Sequence, residues 1–317
     1  MEKNVLVTGG AGFIGSNVTR YLLEHGAKSV RVLDNLSTGR KSNLAELLKK
    51  YDNLEFMHGS ITDLEICRKA MDGIDVVCHQ AALGSVPRSV KDPLASHKSN
   101  VNGFLNVLVS AKEHGIKRIA YASSSSVYGD NPVLPKVEHN TGNVLSPYAA
   151  TKQIDEIYAN VFFKCYGMEC IGMRYFNVFG RNQDPKGVYA AVIPKFIDIV
   201  KENKAPTING DGSFSRDFTY IDNVVQANYL ALTTTNKECF GEVFNIGAGG
   251  RITIKELYQT IASALNFDLP AVHGPTREGD IPHSNASIDK AKSLLGYNPA
   301  VDFTEGIKKT IKYYLDN

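Results

Sequence analysis

Tyr148 and Lys152 stand four residues apart in Ser146-Pro147-Tyr148-Ala149-Ala150-Thr151-Lys152, and residues 149–163 carry a helical pattern. That spacing puts phenol and ammonium on one helix face, about one turn apart. An ordinary phenol is a poor base at neutral pH, and a neighbouring cation favours its ionised form. Such a pair suits removal of a proton from a hydroxyl while a hydride leaves the same carbon. Upstream, four serines, Ser123 to Ser126, follow the strand-like run Ile119-Ala120-Tyr121-Ala122. Their hydroxyls are expected at the strand's carboxyl end, where open α/β sheets bind ligands, and one from Ser124 to Ser126 would share the proton or hold the oxygen. Taken alone, a Tyr-x-x-x-Lys pair is common on solvated helices, and four serines make an ordinary polar turn.

The amino terminus shifts the balance toward chemistry. Asn4 to Thr8 is a β-prone run leading into Gly9-Gly10-Ala11-Gly12-Phe13-Ile14-Gly15, then a helical pattern with Val18, Leu22 and Leu23 inward and an end near Gly26. In that context Gly9 permits the tight turn, Gly12 lets backbone approach a pyrophosphate and Gly15 lets helix and strand pack closely. The helix N-terminus offers free N–H groups and a positive dipole end to phosphates. A second strand, Ser29 to Leu33, ends in Asp34, at about the separation of 20 residues this fingerprint needs. A carboxylate there binds ribose hydroxyls and repels a 2′-phosphate, favouring NAD over NADP; Arg40 is the nearby residue that would take such a phosphate.

The alternation continues with a helix around 42–50, strand 54–58, helix 64–71, strand 75–79, a long helix over 93–114, the serine-bearing strand and strand 169–175. It predicts an α/β fold with a doubly wound parallel Rossmann sheet, covered on both faces. Asp63 fits either a place near an adenine ring or an N-cap of the helix from Leu64. Beyond Gly180 the alternation fails, which predicts an NAD-binding domain over 1–180 and a smaller mixed α/β substrate region over 181–317, some of whose elements return to the first. Arg216 and Arg277 sit in turn-rich context within that second part. Surface ion pairs are the ordinary use of such arginines; opposite a dinucleotide domain they point to an anionic substrate, a diphosphate that guanidinium groups grip bidentately.

With 35 Lys+Arg against 33 Asp+Glu and no basic tract, nothing in the 317 residues points to nucleic acid or an anionic membrane. No apolar run has spanning length and no signal peptide is apparent, so a soluble cytoplasmic protein is expected. The five cysteines form no C-x-x-C pair and read as buried, reduced thiols; the eight histidines lack metal-site spacing, so no catalytic metal is expected.

Together, Thr8-Gly9-Gly10-Ala11-Gly12-Phe13-Ile14-Gly15, Ser124 with Tyr148-x-x-x-Lys152, and Arg174-Tyr175-Phe176-Asn177-Val178-Phe179-Gly180 resemble the extended short-chain dehydrogenase/reductase family over essentially the whole chain. Within it the chain looks most like UDP-hexose 4-epimerases, particularly the branch acting on UDP-N-acetylglucosamine. That closer likeness rests on residues 80–89 (QAALGSVPRS), Gln183-Asp184-Pro185, Tyr189-Ala190-Ala191-Val192-Ile193-Pro194, Asn209-Gly210-Asp211-Gly212 and Ser215-Arg216-Asp217-Phe218.

The resemblance implies a catalytic trio of Ser124, Tyr148 and Lys152, with Ser85, Ser125 and Ser126 near the sugar. Phe13, Ile14, Asp34, Asn35, Ser37, Thr38, Ser60, Ile61, Gln80, Ala81, Ala82, Ser99 and Val178 would join the glycine turn in the NAD site. Asn177, Val192, Lys195, Ile208, Asn209, Arg216, Arg277 and Asp280 would hold UDP. Small Ser284, four positions after Asp280, would leave room for an N-acetyl group. Related 4,6-dehydratases carry an Asp-Glu pair where this chain has Ser125 and Ser126, which disfavours dehydration. The implied reaction is 4-epimerisation through a 4-keto sugar that rotates on its diphosphate. Helices over 93–114 and 146–166 would form the four-helix interface of a homodimer. UDP-glucuronate decarboxylation and a non-catalytic NAD sensor are the alternatives.

Overall fold

A computed structural model describes residues 1–185, 191–276 and 282–316. In chain order the first part runs β1 (Asn4–Thr8), α1 (Phe13–Glu24), β2 (Ser29–Asp34), α2 (Ala45–Lys50), β3 (Leu54–His58), α3 (Leu64–Met71), β4 (Val76–His79), α4 (Val86–Lys91), α5 (Pro93–His97), α6 (Gly103–Glu113), β5 (Arg118–Ser124), α7 (Pro147–Tyr166) and β6 (Glu169–Tyr175). These six strands and Val243–Ile246 form a parallel seven-stranded sheet whose order is Val243–Ile246, β6, β5, β4, β1, β2, β3. The order reverses between β1 and β4, and a crevice at such a switch point is where a doubly wound sheet binds ligands.

Continuous apolar strands follow from burial on both faces. Val5 and Val7 face one core with Val18, Leu22 and Val224, while Leu6 faces the other with Leu33, Val77, Phe104 and Leu108. Removing each such side chain from water contributes about 1.5–3 kcal/mol, so the strand register is strongly specified. The helix ends have local causes. Asp63 caps α3 by accepting from the N–H groups of Glu65 and Ile66. Ser146 caps α7 through Ala149 N, Pro147 opens it and Gly167 closes it in the left-handed conformation.

The expected long helix over 93–114 is interrupted. Lys98–Asn102 forms a π turn between α5 and α6 and brings Asn100 inside, fully buried. A separate short helix, α4, occupies part of the small-residue stretch after β4. The helix around 42–50 begins as a 3₁₀ turn, Lys41–Leu44. Hydrophobic spacing registers helix and strand periods, and neither a π nor a 3₁₀ turn leaves a separate signature in it.

Past Gly180, helices Val192–Lys201, Ile221–Thr233, Ile254–Ala264 and Phe303–Asp316 alternate with short strands. Thr207–Asn209 pairs with Val272–Gly274, and Ser215–Arg216 lies between Ile252–Thr253 and His283–Ser284. Val243–Ile246 returns to the large sheet beside β6.

Candidate active site

A cavity of 450 Å³ opens at the carboxyl ends of the sheet strands, lined by the glycine turn, the ends of β2 to β5 and the first turns of α7. Gly9, at φ +69°, makes the turn after β1; a Cβ there would lie 2.7 Å from Ala81 backbone. At Gly15 a Cβ would sit 2.1 Å from the Gly9 carbonyl oxygen, so helix and turn touch directly. Gly12 is the N-cap of α1 and provides no side chain, which leaves the helix's first N–H groups for a ligand in the cavity. The Asp34 carboxylate stands at the cavity edge and accepts from Ala11 N and Leu36 N, at 3.0 and 2.7 Å. Oxygen lone pairs remain for ribose hydroxyls. This donor set fits a dinucleotide. Arg40 is engaged elsewhere, in a 2.6 Å ion pair with Asp184.

The expected cofactor residues meet here, with one exception. Gly9, Gly12, Phe13, Ile14, Gly15, Asp34, Asn35, Ser37, Thr38, Ser60, Ile61, Gln80, Ala81, Ala82, Ser99, Tyr148 and Lys152 all line the cavity. Val178 is not among the lining residues; it belongs to the strand Val178–Phe179, and its carbonyl accepts from Gln183, which does line the wall. Asp63 takes the capping role left open by the sequence.

Tyr148 and Lys152 reach the same wall from α7. Among the described residues, Lys152 Nζ donates to Ala122 O at 2.9 Å and to Asp155 Oδ2 at 3.1 Å. The Tyr148 N–H donates to the Oγ of fully buried Ser89, at 3.0 Å, which fastens the start of α7 to α4. Thr151 donates to Tyr148 O and accepts from Asn100, whose oxygen receives Leu83 N. Asn100 therefore ties the π turn, the loop after β4 and α7 together.

The serines divide their tasks. Ser123 lines the cavity, and its hydroxyl is bound to Glu156. Ser124 is not among the lining residues; its Oγ accepts from Ser126 N at 3.1 Å and Ser126 Oγ at 2.9 Å, capping the 3₁₀ turn Ser125–Tyr128. Ser85 has φ +141°, a strained backbone for a residue with a Cβ, and caps α4.

The expected UDP residues that lie among the described residues are outside that cavity lining. Asn177 donates to Asp217 O, Asp217 N donates to Ser284 O, and Ser284 lies opposite Arg216 in adjacent parallel strands. Ile208 is buried and Asn209 ends the same short strand. Val192 opens the helix that carries exposed Lys195. Arg277 and Asp280, with Tyr189 and Ala190 of the quoted motifs, lie outside the described residues.

The profile of the NAD dependent epimerase/dehydratase family matches residues 5–247. The chain belongs to this family. As its name says, NAD is the epimerase/dehydratase cofactor, which agrees with the glycine turn and Asp34. Among solved structures, a UDP-N-acetylglucosamine 4-epimerase from Methanobrevibacter ruminantium, in complex with UDP-N-acetylmuramic acid, is 38% identical, covers 99% of each chain and superposes with a TM-score of 0.93. The UDP-glucose 4-epimerase of Thermotoga maritima with UDP-glucose is 37% identical over 99% of each chain, TM-score 0.92. That of Thermus thermophilus, complexed with NAD, is 34% identical over 98% of this chain and 99% of its own, TM-score 0.88.

Several residues of this epimerase/dehydratase site were not singled out in the sequence. Ser89, Asn100 and Thr151 act through hydrogen bonds between distant segments, for which spacing gives no signal, whereas Asp155 lies three residues from Lys152 on the same helix. Asp217 stood in a quoted motif without a role. It is fully buried and accepts from Ala248 N, Gly249 N and Ala286 N; burial pushes its carboxyl upward against those bonds. Of the five cysteines four are buried, and Cys165 is exposed on α7.

Proposed function

We propose that the protein is a UDP-hexose 4-epimerase using bound NAD, acting on UDP-GlcNAc and UDP-GalNAc and also on UDP-Glc and UDP-Gal. The observation that carries this reading is that Tyr148 and Lys152 line one cavity with Asp34 and the glycine turn, in a family of epimerases and dehydratases. When bound, NAD supplies temporary storage for the C4 hydride. Tyr148 takes the 4-hydroxyl proton and returns it after the sugar has turned over. Lys152 orients the cofactor ribose with the ammonium proton left over from Ala122 O and Asp155. Ser124 holds the sugar oxygen, with Ser85, Ser125 and Ser126 around the hexose.

Asn177, Val192, Lys195, Ile208, Asn209, Arg216, Arg277 and Asp280 hold the UDP portion, leaving the hexose free to rotate. Beside Arg216, the small Ser284 leaves space for an N-acetyl group. Residues 1–180 then form the cofactor unit and 181–317 the substrate unit, with Val243–Ile246 lent back to the first. A homodimer would cover apolar side chains that this chain exposes, notably Leu94, 81% exposed on α5, and Ile157 and Val161 on α7. A cytoplasmic site fits a nucleotide-sugar enzyme. Among the described residues no helix is long and apolar enough to cross a membrane.

The test is incubation of purified protein with UDP-GlcNAc, without added nicotinamide cofactor, followed by chromatography of the sugar nucleotides. UDP-GalNAc is the expected product. Inactivity on both hexose pairs, or release of CO2 from UDP-glucuronate instead, rejects the reading.

A further inference from the structure

Asp155 has a carboxylate in a place that is unfavourable for one. It is 1% exposed on the inner face of α7, one turn beyond Lys152. Oδ2 accepts from Lys152 Nζ at 3.1 Å, while Oδ1 has no partner among the described residues. Of the three ammonium protons on Lys152, Ala122 O takes a second, so the third remains for whatever occupies the cavity that Lys152 lines. The groups facing the pair are few. Glu156 on the same helix is neutralised by Arg174 of β6, Tyr121 projects from β5, and His79 of β4 is held neutral by burial. The buried side of α6 carries no ionisable residue.

We infer that Asp155 is a positioning residue of the proposed epimerase, one that fixes the direction of the Lys152 ammonium and offsets part of its charge next to Tyr148. Buried ion pairs add little net stability, and a buried carboxylate with a bare oxygen adds less. Burial pushes the Asp155 carboxyl up to about 6, against the pull of Lys152. A folded-state value above the ordinary one means that the ionised form weakens the fold once the pH rises through it. Groups held this way concentrate at functional sites.

The inference rests on the reading above, and its test separates the two. Asp155→Asn keeps the shape and removes the charge. In the protein with its NAD, at pH 7.5, the variant leaves buried Lys152 without its counter-charge, so a lower melting point is expected and does not by itself decide the role. Its kcat on UDP-GlcNAc should fall by about tenfold, because the Lys152 ammonium loses the carboxylate that holds its direction, with KM little changed. The ultraviolet phenolate signal lost in Tyr148→Phe should appear about one pH unit lower in Asp155→Asn, because an anion near the phenol has been removed. That spectroscopic arm needs no turnover, so it decides the role of Asp155 even if UDP-hexoses prove not to be substrates. A fall in kcat with an unshifted phenolate signal assigns the carboxylate to the fold and overturns the inference. An unchanged kcat overturns it as well.

Discussion

Ser123 donates its hydroxyl proton to Glu156 Oε1 at 2.5 Å, joining the end of β5 to the third turn of α7. Ser124 follows directly on the strand, and Lys152 lies one turn earlier on the helix. The same carboxylate receives Arg174 Nε and Nη2 at 2.9 and 2.8 Å, with both side chains largely buried. Glu156→Gln would leave a buried guanidinium without its counter-charge. The expected loss is about 3–5 kcal/mol in urea unfolding, with a lower kcat because strand end and helix lose their common anchor. Unchanged stability would show that Arg174 is satisfied by Glu138 O and the Tyr128 ring alone.

Tyr148→Phe keeps the ring and removes the hydroxyl. Calorimetry should find UDP-sugar binding and NAD content preserved, while epimerisation falls by about 10²–10⁴, the usual contribution of a positioned acid or base. Normal turnover by this protein would reject Tyr148 as the proton acceptor.

Ser284 and Arg216 are register partners on neighbouring strands, so a bulky residue at 284 would narrow the space beside the proposed UDP site. In Ser284→Tyr, initial rates on UDP-GlcNAc should drop relative to those on UDP-Glc, by about 10–100-fold, since steric exclusion acts on the larger substrate alone. Equal losses on both would show that residue 284 does not select the sugar.

Much of this arrangement was legible in the residues. Strand, glycine turn, helix and Asp34 follow from local rules, because turn geometry and hydrophobic period are written in neighbouring positions. Tyr148 and Lys152 share a face for the same reason. The links that hold them are not local. Ser89 lies 59 residues from Tyr148 and Asn100 51 residues from Thr151, and only folding reveals those bonds. Ser124 shows the limit differently: its position at the strand end was readable, whereas its use as a cap depended on the 3₁₀ turn that follows.

The last prediction concerns acid. His79 is fully buried on β4, bonded through Nδ1 to Thr8 Oγ1 at 2.8 Å, and its Nε2 has no partner among the described residues. Burial, with the charge of Lys152 adding to it, lowers its pKa to about 3. Below the ordinary histidine value the unfolded chain takes up a proton that the folded chain refuses, so stability falls with pH, by about 1.4 kcal/mol per unit once the unfolded histidine is protonated. Asp155 works in the opposite direction over part of that range, since its raised value makes the folded state the one that binds the proton. Between about 4 and 6 the contributions of these two groups are opposed protons that nearly cancel. His79→Asn keeps a neutral hydrogen-bonding group and removes one of them. Urea unfolding across this range should then show stability rising on acidification relative to the wild type, with a difference in slope near one proton. Parallel curves would mean that His79 accepts its proton inside the fold.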